Sequence, residues 1–202
     1  MLALIQAAGW PIWPLIISSV LALAIIFERL YTLRRSLVLP ANLLDQALTN
    51  LRQHGANPDL LRALYESSPL GRVLVAGIRN LGVSREMMKE SLEESGRKVA
   101  HDLERYLMTL GTIASVAPLM GLLGTVVGMV EIFGAQAPTG GGNPAALAHG
   151  ISVALYNTAF GLIVAIPSMI FYRYFRGRVD DYLVEMEQQA VRLVEIIYAE
   201  RK

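Results

Sequence analysis

Charge is absent from residues 1–27, frequent over 28–105, almost absent over 106–172 and frequent again over 173–202. A bilayer crossing takes about 20 apolar residues as a helix, and this pattern contains three such stretches. They are predicted at residues 10–33, 107–133 and 147–172. Pro11 and Pro14 fall where the first span opens, a position a helix tolerates. Trp10 and Trp13 suit one membrane interface and Tyr31 the other, while the third span closes on Phe171, Tyr172, Tyr174 and Phe175. No alternating pattern marks a strand. The predicted fold class is an all-α integral membrane protein with three transmembrane helices, two of them extended into long cytoplasmic helices.

The polar stretches carry helical periodicity. Leu43, Leu44, Ala47, Leu48 and Leu51 form one stripe, with Asp45, Asn50 and Arg52 elsewhere on the same helix. Ser84-Arg85-Glu86 can start a helix after Gly82. Nothing between there and Phe133 breaks it outside the membrane, so one helix of about 50 residues, about 75 Å long at 1.5 Å per residue, is expected. Tyr182, Leu183, Met186, Ala190, Leu193, Ile196 and Ile197 share a broad face, so the third span should continue as a helix through 173–202.

Arginine placement predicts orientation. Arg29, Arg34 and Arg35 follow span one, Arg97, Lys98 and Arg105 precede span two, and Arg173, Arg176 and Arg178 follow span three. The opposite ends carry no lysine or arginine. The positive-inside rule then places residues 1–9 outside, 34–106 inside as a cytoplasmic helical domain, 134–146 outside as a short turn-rich loop, and 173–202 inside. Met1-Leu2-Ala3-Leu4-Ile5-Gln6 lacks the positive start of a cleaved signal peptide, so the first span is expected to be retained.

Bulk composition excludes more than it assigns. The chain has 202 residues, a formal net charge of +1 and no cysteine, so no strongly charged partner and no thiol chemistry is implied. His54, His101 and His149 show no metal-ligand spacing. No nucleophile motif or phosphate loop is present, and Gly140-Gly141-Gly142 reads as a flexible turn. An enzyme is not expected.

The second span holds features that anchoring in lipid does not require: Pro118, Gly121, Gly124, Gly128 and Thr125. Gly121, Thr125 and Gly128 share a face of span two, and Ala154, Thr158, Gly161 and Ala165 share a face of span three. Such small residues permit close helix packing. Thr125 and Thr158 each lie about eight residues below the outer end of their span, about 12 Å down. Several copies could therefore form a hydroxyl ring, although each threonine could instead bond back to its own helix. Ser152, Tyr156 and Asn157 add polar atoms to the outer half of span three. Glu131, the one acid of the apolar region, is either an interfacial carboxylate or a cation-attracting mouth. No titratable group stands at mid-depth, so any proton-carrying carboxylate would have to come from another chain.

Residues 114–126, ASVAPLMGLLGTV, and 150–162, GISVALYNTAFGL, resemble the MotA/TolQ/ExbB proton-channel family, and the similarity covers almost the whole chain. The three-span layout resembles the ExbB/TolQ branch. The resemblance implies a pore-forming homo-oligomer, a pentamer, with spans two and three lining the pore and Thr125 and Thr158 at the positions of the family's pore threonines. It implies a pair of single-span partners of the ExbD/TolR type supplying a membrane aspartate, and protons as coupling ion with no bound cofactor. It further implies an inner-membrane location and a TonB-like protein to be energised, or a TolQ-like role in envelope maintenance. Val153 stands where some ExbB proteins carry a glutamate, which strengthens dependence on the partner. A passive membrane scaffold without ion flux is the rival of another class.

Overall fold

The computed structural model describes residues 9–136 and 144–199, and the regular elements among them are all α-helices. In chain order they are α1 (Ile12–Thr32), α2 (Arg35–Val38), α3 (Leu43–His54), α4 (Pro58–Ser67), α5 (Pro69–Arg79), α6 (Arg85–Leu103), α7 (Leu107–Gln136) and α8 (Pro144–Ala199). The segment before residue 9 and the middle of the expected outer loop, with Gly140-Gly141-Gly142, lie outside the described residues. The helices take in both ends of that loop, since α7 runs to Gln136 and α8 starts at Pro144.

Three helices are long and apolar enough to cross a membrane: Ile12–Thr32, Leu107–Gly134 and Gly150–Ala199. They fit a membrane protein. The chain divides into two compact units. One takes Met1–Glu28 and Tyr106–Tyr174, and the other takes Arg29–Arg105 and Phe175–Lys202.

In the first unit, α1 buries Ile12, Leu15, Ala22, Ile25 and Ile26 along one face. Its other face exposes Trp13, Ile17, Val20, Leu21 and Phe27. A helix apolar on both its packed and its open face suits hydrocarbon rather than water.

The second unit is built from short amphipathic helices against the distal half of α8. Its helix starts are capped locally: the Asn57 side chain accepts from Asp59 N–H with Pro58 next in line, Ser68 accepts from Gly71 N–H ahead of α5 with Pro69, and Ser84 accepts from Met87 N–H. Such caps are worth about 1 kcal/mol each. The core gathers Val73, Leu74 and Ile78 from α5, Met88, Leu92 and Val99 from α6, and Val179, Met186, Leu193 and Val194 from α8.

The expected unbroken helix from Ser84 to Phe133 is not observed. It stops at Leu103 and restarts at Leu107, with Tyr106 at φ 63°. A bulky residue rarely adopts this left-handed conformation. A residue far away in sequence bonds to the end of the helix there. Arg29, 6% exposed, donates from Nη1 to the Leu103 carbonyl at 3.2 Å. A cation bonded to a last-turn carbonyl satisfies the helix end and complements its dipole. Of the two long extensions expected, only the third span continues as one helix, the 56-residue α8.

A second polar node ties α8 to the end of α1. The Tyr182 hydroxyl donates to the Leu33 carbonyl at 2.8 Å and accepts from Arg178 Nη2 at 2.6 Å. Arg35 pairs with Glu185 at 2.8 Å.

Candidate functional site

The site candidates lie on the antiparallel hairpin of α7 and α8. Its register is written by small residues. Gly111 meets the Tyr172 ring, Gly161 meets Ala117 and Gly121, Gly124 meets Asn157, Gly128 meets Ala154, and Gly150 meets Ile132. A Cβ placed on Gly121 would stand 2.8 Å from the Asn157 carbonyl oxygen and 3.0 Å from Thr158 Cα. One on Gly124 would stand 2.7 Å from the Asn157 Cβ and Cγ. One on Gly161 would stand 2.6 Å from the Ala117 carbonyl oxygen. The two backbones are thus closer here than any side chain allows, as small-residue packing between membrane helices requires. Ala154 and Ala165 are buried in the same seam. Pro118 sits inside α7 and Pro167 inside α8. Each lacks the N–H that would bond the carbonyl four residues back. Pro167 did not stand out in the sequence, where it is masked by its apolar surroundings.

This register places Thr125 level with residues 156–158, within about one turn. At 100° per residue, Thr125 lies about 70° from the middle of the Gly121–Gly124–Gly128 line, and Thr158 about 55° from the middle of its facing line on α8. Antiparallel helices wind in opposite senses when viewed from one end. Both threonines therefore fall on the same edge of the hairpin.

Their hydrogen bonding differs. Ser18, Thr112, Ser115, Thr125, Ser152 and Ser168 each donate to a carbonyl three or four residues back. For Thr125 the bond goes to Leu122 at 2.6 Å. Thr158 does not follow them: its Oγ1 is buried and bonds to no group among the described residues. A buried hydroxyl left unbonded costs about 1–3 kcal/mol, so it calls for an explanation.

The remaining candidates separate. Asn157 is 1% exposed and lies inside the seam against Gly124. Ser152 and Tyr156 are exposed and stand about 200° from Ala154, on the side of α8 away from α7. Glu131 is exposed near the far end of α7. Thr125, Val126, Met129, Val130, Phe133 and Gly134 line a shallow apolar groove along α7. The hairpin thus brings Thr125, Asn157 and Thr158 to one level, with Tyr156 at that level but on the far side of α8, and leaves Ser152 and Glu131 apart. The side chain of Val153 lies outside the described residues. Among the described residues no three His, Asp or Glu side chains are grouped to hold a metal.

A hairpin of this kind is common to many membrane proteins, and sequence comparison decides which. Residues 65–188 match the model of the MotA/TolQ/ExbB proton channel family. The chain belongs to this family. The match runs from α4 through the hairpin and well into the distal half of α8, so it takes in the seam and the threonine level. Among similar proteins, "Biopolymer transport protein exbB1" of Vibrio cholerae is 35% identical over 170 residues, covering 81% of this chain and 74% of its own. "Putative biopolymer transport protein ExbB-like 3" of Synechocystis is 28% identical over 197 residues, covering 96% of this chain and 92% of its own. "Tol-Pal system protein TolQ" of Pseudomonas aeruginosa is 33% identical over 138 residues, covering 63% and 57%. The chain falls in the ExbB/TolQ branch, and ExbB names are the more prominent among its relatives. The family is one of transport and channel subunits.

Proposed function

We propose that this chain is the ExbB-like subunit of an inner-membrane motor that uses the proton motive force to energise TonB-dependent outer-membrane transport. The observation that supports it most is the Thr158 hydroxyl: buried, unbonded among the described residues and level with Thr125 on one edge of the hairpin. Its donor and lone pairs are available to a group from outside the chain. A carboxylate of a neighbouring subunit is the partner that proton transfer needs, because no acid of this chain stands at that level.

In this account several copies, five by family resemblance, set their α7–α8 hairpins around a central pore, with the N-terminus periplasmic and the distal half of α8 cytoplasmic. A pair of ExbD/TolR-type single-span subunits fills the pore and supplies a membrane aspartate. Protons are the coupling ion and no cofactor takes part. Thr125 and Thr158 orient water or accept and donate bonds to the aspartate as it gains and loses its proton. Asn157 supports the level from within the seam. Ser152 and Tyr156, on the far side of α8, face the neighbouring copy or lipid, and Glu131 marks the outer mouth.

A TolQ-like role in the envelope is the second reading, favoured by the 33% identity to a TolQ protein. Replacing Thr158 with valine keeps the shape and removes the hydroxyl. Energised uptake through an outer-membrane receptor should fall at least tenfold while the complex still purifies at full size. Unchanged uptake with a lost division phenotype would favour the TolQ role, and no change in either would leave only a scaffold.

A further inference from the structure

The second unit carries a groove between α6 and α8 whose floor is apolar and whose α6 edge is basic. Val73, Leu92, Met186, Ala190 and Val194 form its floor. Arg85, Lys89 and Arg97 stand on the α6 edge, exposed, and make no salt bridge with a described residue. Glu93 and Glu187 also line the groove, so the excess charge is positive but small. Gly96 opens its wall: a Cβ there would meet nothing within 4 Å. Glycine costs about 1 kcal/mol in a helix interior relative to alanine, and no contact among the described residues requires it here.

A surface of opposite character lies on the outward face of α8. Asp180, Asp181, Val184, Gln188 and Glu195 are all exposed there, Val184 at 54%. The three acids make no salt bridge with a described residue. On the basic edge, Lys98 holds the Glu94 carboxyl below its ordinary value, and the neighbouring Arg97 adds to this. Two surfaces of one chain therefore carry charges of opposite sign, without a salt bridge among the described residues, around an apolar centre.

Their heights agree. α6 and α8 run antiparallel, since Tyr198 Oη donates to the Val83 carbonyl and Gly77 packs on both Leu92 and Leu193. This register sets Arg85 near the height of Glu195, Gly96 near Val184 and Gln188, and Arg97 near Asp181, each within about two helical turns. Copies related by an axis along the helices stand at equal height, so the basic α6 edge would face the acidic stripe of a neighbour. Unlike surfaces joined head to tail close into a ring when the rotation closes.

We infer that the α6–α8 groove is a docking site for a second copy of this chain, taking the Asp180–Glu195 stripe of its neighbour. Val184 enters beside Gly96, and the acidic and basic edges pair. The inference deepens the homo-oligomer proposed above by naming surfaces that the pore itself does not use.

The absence of cysteine makes the test direct. Gly96→Cys and Val184→Cys are made singly and together, and the purified complex, with its single-span partner, is treated with a short bismaleimide cross-linker. The double variant should give a ladder of covalent multimers, and each single variant should stay monomeric on a denaturing gel. A mixture of the two singles should give dimers only. Lys89→Glu should weaken the ladder severalfold, and adding Glu195→Lys should restore it. A complex of oligomeric mass without a ladder would overturn this contact while leaving the oligomer standing. Self-cross-linking of Gly96→Cys alone would overturn it in favour of a face-to-face dimer, and a monomeric mass would overturn both proposals.

Discussion

Thr125 and Thr158 have the same side chain and different bonds, and that difference is the most local statement the structure makes about function. Thr125 donates to Leu122, so its hydroxyl is already satisfied as donor. Thr158 is not. Replacing Thr125 with valine should therefore reduce proton coupling less than the same change at Thr158, as a ratio of uptake rates will show. Gly124 gives a second residue-scale prediction. A methyl group there would overlap the Asn157 side chain, while one at Gly134 would meet nothing within 4 Å. Gly124→Ala should cost about 1–3 kcal/mol, the usual range for overpacking, and Gly134→Ala close to none. Thermal unfolding of the complex in mild detergent checks both. The glycine spacing in span two announced close packing, but not that Asn157, one of the polar pathway candidates, would be the group it accommodates. Which of two neighbouring polar residues faces the seam depends on helix rotation, and a small-residue pattern leaves that open to within one position.

At the scale of elements, the apolar runs and stripes were legible because each is written in contiguous sequence. The stripe of Leu43, Leu44, Ala47 and Leu48 is buried as its period implied, and Tyr182, Met186, Ala190, Leu193 and Ile197 are buried on α8. The break at Leu103 was not legible, since nothing between Ser84 and Phe133 resembles a stop. The helix end there bonds to Arg29, 74 residues away, which in the sequence served only as a marker of the inner end of span one. A trace was present: Arg29 continues the stripe of Ala22, Ile25 and Ile26 toward Leu33, where a cation needs a partner to be buried. Arg29→Ala removes that partner and leaves the Leu103 carbonyl without its donor, at a cost of about 1–3 kcal/mol. Amide hydrogen exchange should rise at the end of α6 and the turn to α7 more than elsewhere in the second unit. Equal protection there would show that the break is set by local backbone preference alone. Tyr182→Phe should cost about 1 kcal/mol by removing the bond to the Leu33 carbonyl, read as a shift in the unfolding midpoint.

For the whole molecule, the membrane class and the family were legible because hydropathy and two contiguous motifs carry them. What a single chain does not encode is the titrating group. Its hydroxyls can hold water and bond a carboxylate, but a hydroxyl does not ionise near neutral pH, and a proton path through a membrane needs a titratable group within it. The central claim is that this chain is the casing of a proton path whose acid belongs to a partner. Proton flux into liposomes tests this most directly. The chain is reconstituted alone and with its single-span partner, a potassium gradient with valinomycin sets the voltage, and an internal pH dye reads the flux. The account predicts flux only from the complex, lost when the partner's membrane aspartate becomes asparagine and reduced at least tenfold by Thr158→Val. Voltage-driven flux through this chain alone, or undiminished flux with Thr158→Val, would contradict it.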